Sequence, residues 1–141
     1  MRTISIYTDG SCNVQQGIGG WAIVSIDFTV CGNKRNTTNN EMELYSIYKA
    51  VQYGEDYDEV HIFSDSQYCV KTFTDWAYRW ERNGWKKGGG KTPKNLGLIR
   101  MIFNKVKDNP KYNFHKVKAH SDNKMNEKAD KLAKKSCKEL I

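Results

Sequence analysis

The sequence predicts an α/β fold in which a mixed five-stranded sheet is flanked by helices. Apolar and polar residues alternate in short segments rich in β-branched side chains, a pattern typical of half-buried strands. Other segments, beginning with residues 41–53, carry apolar residues at helical spacing. The links between the first three strands are too short for a crossover, so these strands are predicted to be antiparallel. Helices between the later strands allow parallel pairing.

The elements are predicted in the order β-β-β-α-β-α-α-β-α. The first strand, residues 3–7, leads into Asp9 and a Gly-Ser turn. Gly54 is expected to end the first helix, and Asn95 to cap a later one. A helix from residue 66 is expected to continue, with a break, through residue 80. The other boundaries are a loop at 11–16, strands at 17–26, 28–32, 58–65 and 112–117, a helix at 41–53, and a C-terminal helix from about residue 124 that turns its lysines outward.

Residues 84–94 differ in composition from their surroundings, because they are positively charged, rich in glycine and without apolar periodicity. Neither flanking segment could fold alone, which indicates a protruding loop and not a domain linker. A chain of 141 residues with 38% hydrophobic and 28% charged residues is long enough to bury one core. We therefore predict a single domain, residues 1–141, that carries a basic protrusion at about 84–94.

Four carboxylates are predicted to lie near one edge of the sheet. Asp9 and Asp65 follow neighbouring parallel strands, and Glu43 and Asp130 can reach the same edge from helices. Four carboxylates around one point repel strongly unless protonation or a metal ion intervenes. Oxygen ligands suit Mg²⁺ or Mn²⁺ better than zinc, and two such ions promote phosphoryl transfer. The spacing is therefore compatible with a divalent metal site.

Each of these carboxylates also has a structural interpretation. Asp9 and Asp65 fit a turn or a helix cap, and Glu43 fits the favourable interaction of an acidic residue with a helix N-terminus. Asp130 can pair with Lys134 one turn later on the same helix. From spacing alone, both interpretations remain open.

Two further features have a functional and a structural interpretation. His120, next to a polar segment and ten positions before Asp130, could shuttle protons near neutral pH, although the sequence alone favours a surface histidine. Three tryptophans and neighbouring lysines could contact nucleic acid through phosphates, sugars and bases, or could be core residues beneath solvated charge. These residues are Trp76, Trp80, Trp85, Lys86 and Lys87.

The composition limits the partners. A net charge of +7 and a pI near 9.2 are compatible with a polyanion but do not establish one. The four cysteines have neither CxxC nor zinc spacing and are interpreted as free thiols of a reducing compartment. No targeting segment or membrane-spanning run is recognisable. We therefore expect a cytoplasmic protein, monomeric and without a membrane partner.

Together these segments resemble the ribonuclease H family, whose members cut the RNA strand of RNA–DNA hybrids. The resemblance covers essentially the whole chain, and its six matching segments follow the order of the family: residues 7–12, 38–44, 64–68, 84–86, 117–120 and 126–130. It implies a ribonuclease H-like sheet of three antiparallel and then two parallel strands. It also implies a hybrid duplex as partner and products with 5′-phosphate and 3′-hydroxyl ends.

The resemblance implies roles for individual residues. Four would hold two Mg²⁺ ions, for which Mn²⁺ could substitute: Asp9, Glu43, Asp65 and Asp130. His120 would assist proton transfer or product release. Several groups would contact 2′-hydroxyls, by which RNA differs from DNA: Gln67, Asn39, Asn40, the backbone near Cys12, and Gln15 as the positional match in the following loop. Thr38 would belong to the pocket for a DNA phosphate. The DNA strand would be held by Trp76, Trp80, Trp85, Lys86 and Lys87.

Some residues depart from the family pattern. Glu41 adds negative charge near the proposed metal site, Ala119 replaces a glycine, and residues 88–90 make the protrusion tip flexible. None of these departures affects the four carboxylates. A hybrid-binding module that does not cut would be expected to lack one of them. A DNA nuclease with the same sheet is a second alternative, against which Gln67 and residues 39–40 argue.

Overall fold

The computed structural model describes residues 1–118 and 123–141. Its strands are β1 (Thr3–Asn13), β2 (Ile18–Val24), β3 (Thr29–Arg35), β4 (Glu59–Ser64) and β5 (Tyr112–Lys116). They form one five-stranded sheet in the order β3-β2-β1-β4-β5. β1, β2 and β3 pair antiparallel, whereas β4 runs parallel to β1 and to β5. The predicted mixed sheet is confirmed.

The helices are α1 (Asn39–Tyr53), α2 (Gln67–Lys71), α3 (Ala77–Arg82), α4 (Leu96–Val106) and α5 (Lys124–Lys138). A π-helical segment, Thr72–Trp76, joins α2 to α3 and accounts for the predicted break. Short 3-10 turns occur at Gly54–Asp56 and Gly88–Gly90. Within the described part of the chain, no helix is long and apolar enough to cross a membrane.

The core lies between the sheet and α1 and continues between α1 and α4. Its fully buried side chains come from alternate positions of the strands and from one stripe of each helix, as the periodicity predicts. They include Ile4, Ile6, Ile23, Leu44, Ile47, Val60, Ile62, Ile99, Ile102 and Phe103. α5 packs on β1, β2 and β3 through Ala129, Ala133 and Cys137.

Two glycines let the helices approach the sheet closely on opposite faces. A Cβ on Gly10 would overlap the backbone of Met42 and Glu43 in α1, and a Cβ on Gly20 would overlap the backbone of Ala133 in α5. Gly20 pairs with Ser11, the neighbour of Gly10, and adjacent strand residues point to opposite faces. α1 and α5 therefore lie on the two sides of β1.

Several predicted boundaries were wrong. β1 continues through Asp9 to Asn13, where a turn and loop were expected, because residues 7–13 pair with β2. β3 extends to Arg35 through its pairing with Ile18. Asn95 does not cap α4 with its side chain and instead adopts a left-handed conformation with φ of 60°.

Candidate active site

Three of the four predicted carboxylates converge near the middle of the sheet, where the pairing of β1 with β4 ends. Asp9, Glu43 and Asp65 each offer an oxygen atom, and these oxygens lie within 4.8 Å of one another. The parallel ladder between β1 and β4 ends at the pair Thr8 and Ser64, so Asp9 and Asp65 follow it on adjacent strands. Asp9 lies inside β1, at the end of its pairing with β4, and not at the end of the strand.

Glu43 reaches the cluster because α1 packs directly against Gly10. Its Oε1 atom accepts a hydrogen bond of 3.1 Å from the Gly10 backbone N–H, and its side chain is buried. Its Oε2 atom has no hydrogen-bond partner among residues 1–118 and 123–141. A buried carboxylate oxygen without a partner is costly, so this atom is suited to bind a cation.

Burial and mutual repulsion control the protonation of the cluster. The pKa of Asp9 is raised from 3.8 to about 7, chiefly by burial and then by the charges of Asp65 and Asp130, although a hydrogen bond with Glu43 opposes the rise. The pKa of Glu43 is raised well above its ordinary value by burial and by the neighbouring Asp9. Both shifts show that the ionised cluster is unfavourable without a positive partner.

Asp130 approaches the cluster from α5. Its side chain lies close enough to Asp9 to help raise the pKa of that carboxyl group, and it also forms an ion pair of 3.1 Å with Lys134. The structural alternative considered for Asp130 is therefore present, but it does not remove Asp130 from the site. Asp130 is half-buried at the rim of the cluster, whereas Asp9 and Glu43 are buried.

The donor set suits a hard divalent cation. The ligand atoms are all carboxylate oxygens, as Mg²⁺ and Mn²⁺ prefer, and one of them is the unpartnered Oε2 of Glu43. A dication would offset the repulsion that raises the pKa values of Asp9 and Glu43. The residues present therefore fit the metal ion that the sequence predicts.

A cavity of about 670 Å³ separates the N-terminus of α1 from the basic protrusion. Thr38 contributes to its wall and also caps α1, since its side chain accepts a hydrogen bond of 3.2 Å from the Glu41 N–H. The cavity brings together several predicted substrate residues: Thr38, Asn39, Asn40, Trp80 and Lys87. Trp76, Trp80 and Lys87 line a smaller cavity of about 260 Å³ beside it.

Other predicted substrate residues lie elsewhere. Trp85 packs edge-on against Phe103 of the core, with their ring centroids 5.6 Å apart, and does not line these cavities. Lys86 donates a hydrogen bond of 2.9 Å to Thr92 within the protrusion. Three further residues do not line these cavities either: Cys12, half-buried in β1; Gln15, exposed in the following turn; and Gln67, exposed at the start of α2.

Glu41 is neutralised locally. It hydrogen-bonds to Thr37 and forms an ion pair of 2.9 Å with Lys34, and these partners lower the pKa of its carboxyl group despite partial burial. The extra negative charge noted in the sequence is therefore balanced by Lys34, which lies on β3.

Several residues of the larger cavity were not predicted from the sequence. Tyr68, Lys91, Lys94 and Asn95 line it beside Thr38. The signal for Lys91 and Lys94 was their position in the basic protrusion, but nothing in the sequence indicated that the protrusion folds against α1. The predicted catalytic His120 lies outside the described residues.

The chain is similar to known proteins over nearly its whole length. A family model described as RNase H matches residues 1–138. The chain is 35% identical to a ribonuclease H of Hahella chejuensis, with 100% of this chain and 97% of the relative covered. It is 38% identical to a ribonuclease H of Acetivibrio thermocellus, with 94% and 93% covered.

Two solved structures share the fold. The chain superimposes on LC9-RNase H1, described as a type 1 RNase H with the type 2 active-site motif, with a TM-score of 0.80 and 25% identity over 100% of this chain and 74% of that one. It also matches a foamy viral protease-reverse transcriptase in complex with dsDNA, with a TM-score of 0.85. There the identity is 20%, with 96% and 94% of the two chains covered, which is a likeness of fold.

Proposed function

The chain belongs to the ribonuclease H family, and on that basis we propose that it hydrolyses the RNA strand of RNA–DNA hybrids with two divalent metal ions. The products would carry 5′-phosphate and 3′-hydroxyl ends. The observation that carries the proposal is the convergence of Asp9, Glu43 and Asp65 within 4.8 Å. Three carboxylates so close together, two of them buried, are unfavourable in the ionised form unless a cation offsets their charge.

The four carboxylates would hold the metal ions, with Asp130 completing the set from the rim. When bound, Mg²⁺ supplies Lewis-acid activation of water and stabilisation of charge on the departing oxygen. The Gly10 N–H fixes the orientation of Glu43 through its 3.1 Å hydrogen bond, and close packing keeps Asp9 beside it. His120 is proposed to move a proton during the reaction or product release.

Binding of the hybrid is proposed to extend from the carboxylates to the protrusion. The larger cavity is lined by Lys87, Lys91 and Lys94, and lysine ammonium groups complement phosphates. The polar first turn of α1, with Gln67, is proposed to contact 2′-hydroxyls and so select RNA. All four carboxylates come from one chain, so the proposed reaction requires no second copy.

A gel assay on a labelled RNA–DNA hybrid tests this function. We expect cleavage of the RNA strand with Mg²⁺ or Mn²⁺ and none with a chelator. Asp9→Asn and Asp65→Asn should each abolish cleavage, because each removes a charged metal ligand. Asp56→Asn is the matched control, since Asp56 is exposed and lies outside the carboxylate cluster, and this variant should cut like the wild type.

Substrate comparison separates this proposal from its alternatives. Wild-type cleavage of duplex DNA in preference to the hybrid would indicate a DNA nuclease. Tight binding of the hybrid without any cleavage would indicate a binding module. Cleavage at the wild-type rate by either Asp9→Asn or Asp65→Asn would contradict the metal assignment.

A further inference from the structure

The outer face of α5 is a continuous lysine surface. Five exposed lysines lie within about 80° of one another around the helix axis, at about 100° per residue: Lys124, Lys128, Lys131, Lys135 and Lys138. α5 contains six lysines and two carboxylates, so it carries a net charge of +4 out of the +7 of the whole chain. We call the five residues the α5 lysine face.

Within the part of the chain that the structure describes, these lysines form no ion pair, although Glu127 lines the same surface as Lys124, Lys128 and Lys131. There, Lys134 is the member of α5 that forms an ion pair, with Asp130, and no carboxylate lies within 4.0 Å of Lys128, Lys131 or Lys135. Lysines three or four positions apart on a helix repel each other. The face therefore carries unbalanced charge that a polyanion would offset.

The α5 lysine face lies on the same helix as Asp130, a residue at the rim of the carboxylate cluster. Asp130, which approaches Asp9, lies in the same helix, about 120° around the axis from the middle of the lysine face. From Lys124 to Lys138 the face extends about 21 Å at 1.5 Å per residue. A nucleic acid strand that leaves the cluster would meet the face only after turning around α5.

We propose that the α5 lysine face binds the phosphates of a single-stranded tail that extends from the hybrid, which rests on the proposed function. A duplex is stiff over about 150 base pairs and cannot turn around one helix, whereas a single strand can. The contact would be with phosphates alone, because the face offers ammonium groups and no aromatic ring on which a base could stack. Tailed hybrids would thus be bound more tightly than blunt ones, regardless of tail sequence.

The test compares a short blunt hybrid with the same hybrid carrying a tail of about ten nucleotides, enough to cover the face at about 3.4 Å per phosphate. The variant is K128Q/K131Q/K135Q. The control is K105Q/K107Q/K111Q, which changes net charge equally but removes lysines bound to Glu55 and Glu81. Steady-state KM and kcat are measured for cleavage, and fluorescence anisotropy in chelator measures binding, both at several salt concentrations.

For the wild type and the control, we expect the tail to lower KM without changing kcat. It should also steepen the slope of log Kd against log salt by about 3.5, at about 0.7 for each of the five lysines of the face. The K128Q/K131Q/K135Q variant should lose about 2 of this slope and most of the effect on KM, and should cut the blunt hybrid normally. The proposal is overturned if that variant keeps the tail effect, if the control loses it equally, or if the wild type shows none. Failure of the wild type to cut the blunt hybrid would instead refute the proposed function, and anisotropy would still test the face.

Discussion

Replacing Asp9 with asparagine should stabilise the metal-free protein, and more so at high pH. The pKa of Asp9 rises from 3.8 to about 7 in the folded protein, so the folded state binds this proton more tightly than the unfolded state. Stability is therefore lost as pH rises from about 3.8 to about 7. At about 1.4 kcal/mol per pH unit, the raised pKa lowers the free energy of unfolding by about 4 kcal/mol at pH 8, where Asp9 is ionised in both states, and by about 2 kcal/mol at pH 5, where the folded protein keeps Asp9 protonated and the unfolded chain does not. An asparagine side chain has nearly the same shape as aspartate but carries no charge.

The assay is urea denaturation in EDTA at both pH values. Asp9→Asn should raise the free energy of unfolding by up to about 4 kcal/mol at pH 8 and by clearly less at pH 5. Mg²⁺ should then stabilise the wild type more than the variant, because binding to the folded state alone adds stability. Asp56→Asn should show neither effect. An equal change at both pH values, or a loss of stability at pH 8, would refute the electrostatic reasoning.

Three other predictions follow from single contacts. Gly10→Ala should lower the free energy of unfolding by about 1–3 kcal/mol and lower cleavage strongly, because the added Cβ displaces α1 together with Glu43. Gly97→Ala, where the added Cβ meets open space, should do neither. Thermal melting measures the stability of both variants, and the gel assay measures their cleavage. Thr38→Ala should cost about 1 kcal/mol of unfolding free energy, since it removes the N-cap of α1, and urea denaturation measures this loss. Lys87→Gln with Lys91→Gln should lower the slope of log Kd against log salt for hybrid binding by about 2; an unchanged slope would exclude phosphate contacts by these two lysines.

The sheet could be predicted because its signals are local. Alternation defined the strands, and short links imposed antiparallel pairing on the first three. The length of β1 could not be predicted, because Gly10 and Ser11 have the composition of a turn. Their strand conformation depends on pairing with Trp21 and Gly20 in β2, a contact that no local pattern reveals.

Part of the candidate site could be predicted once the order and direction of the strands were known. Adjacent parallel strands place Asp9 beside Asp65, so their proximity followed from topology. The hydrogen bond from the Gly10 N–H to Glu43 depends on how closely α1 packs. The larger cavity likewise depends on tertiary packing, because Thr38 and Lys94 are far apart in sequence and meet only when the protrusion folds against α1.

Calorimetric titration of Mg²⁺ into the protein tests the metal site most directly. The wild type and Asp56→Asn should bind Mg²⁺ at pH 8 with the same affinity, and Asp65→Asn should bind it at least about tenfold more weakly, because one charged ligand is gone. Equal affinity of Asp65→Asn and the wild type would contradict the claim that these carboxylates form a divalent metal site.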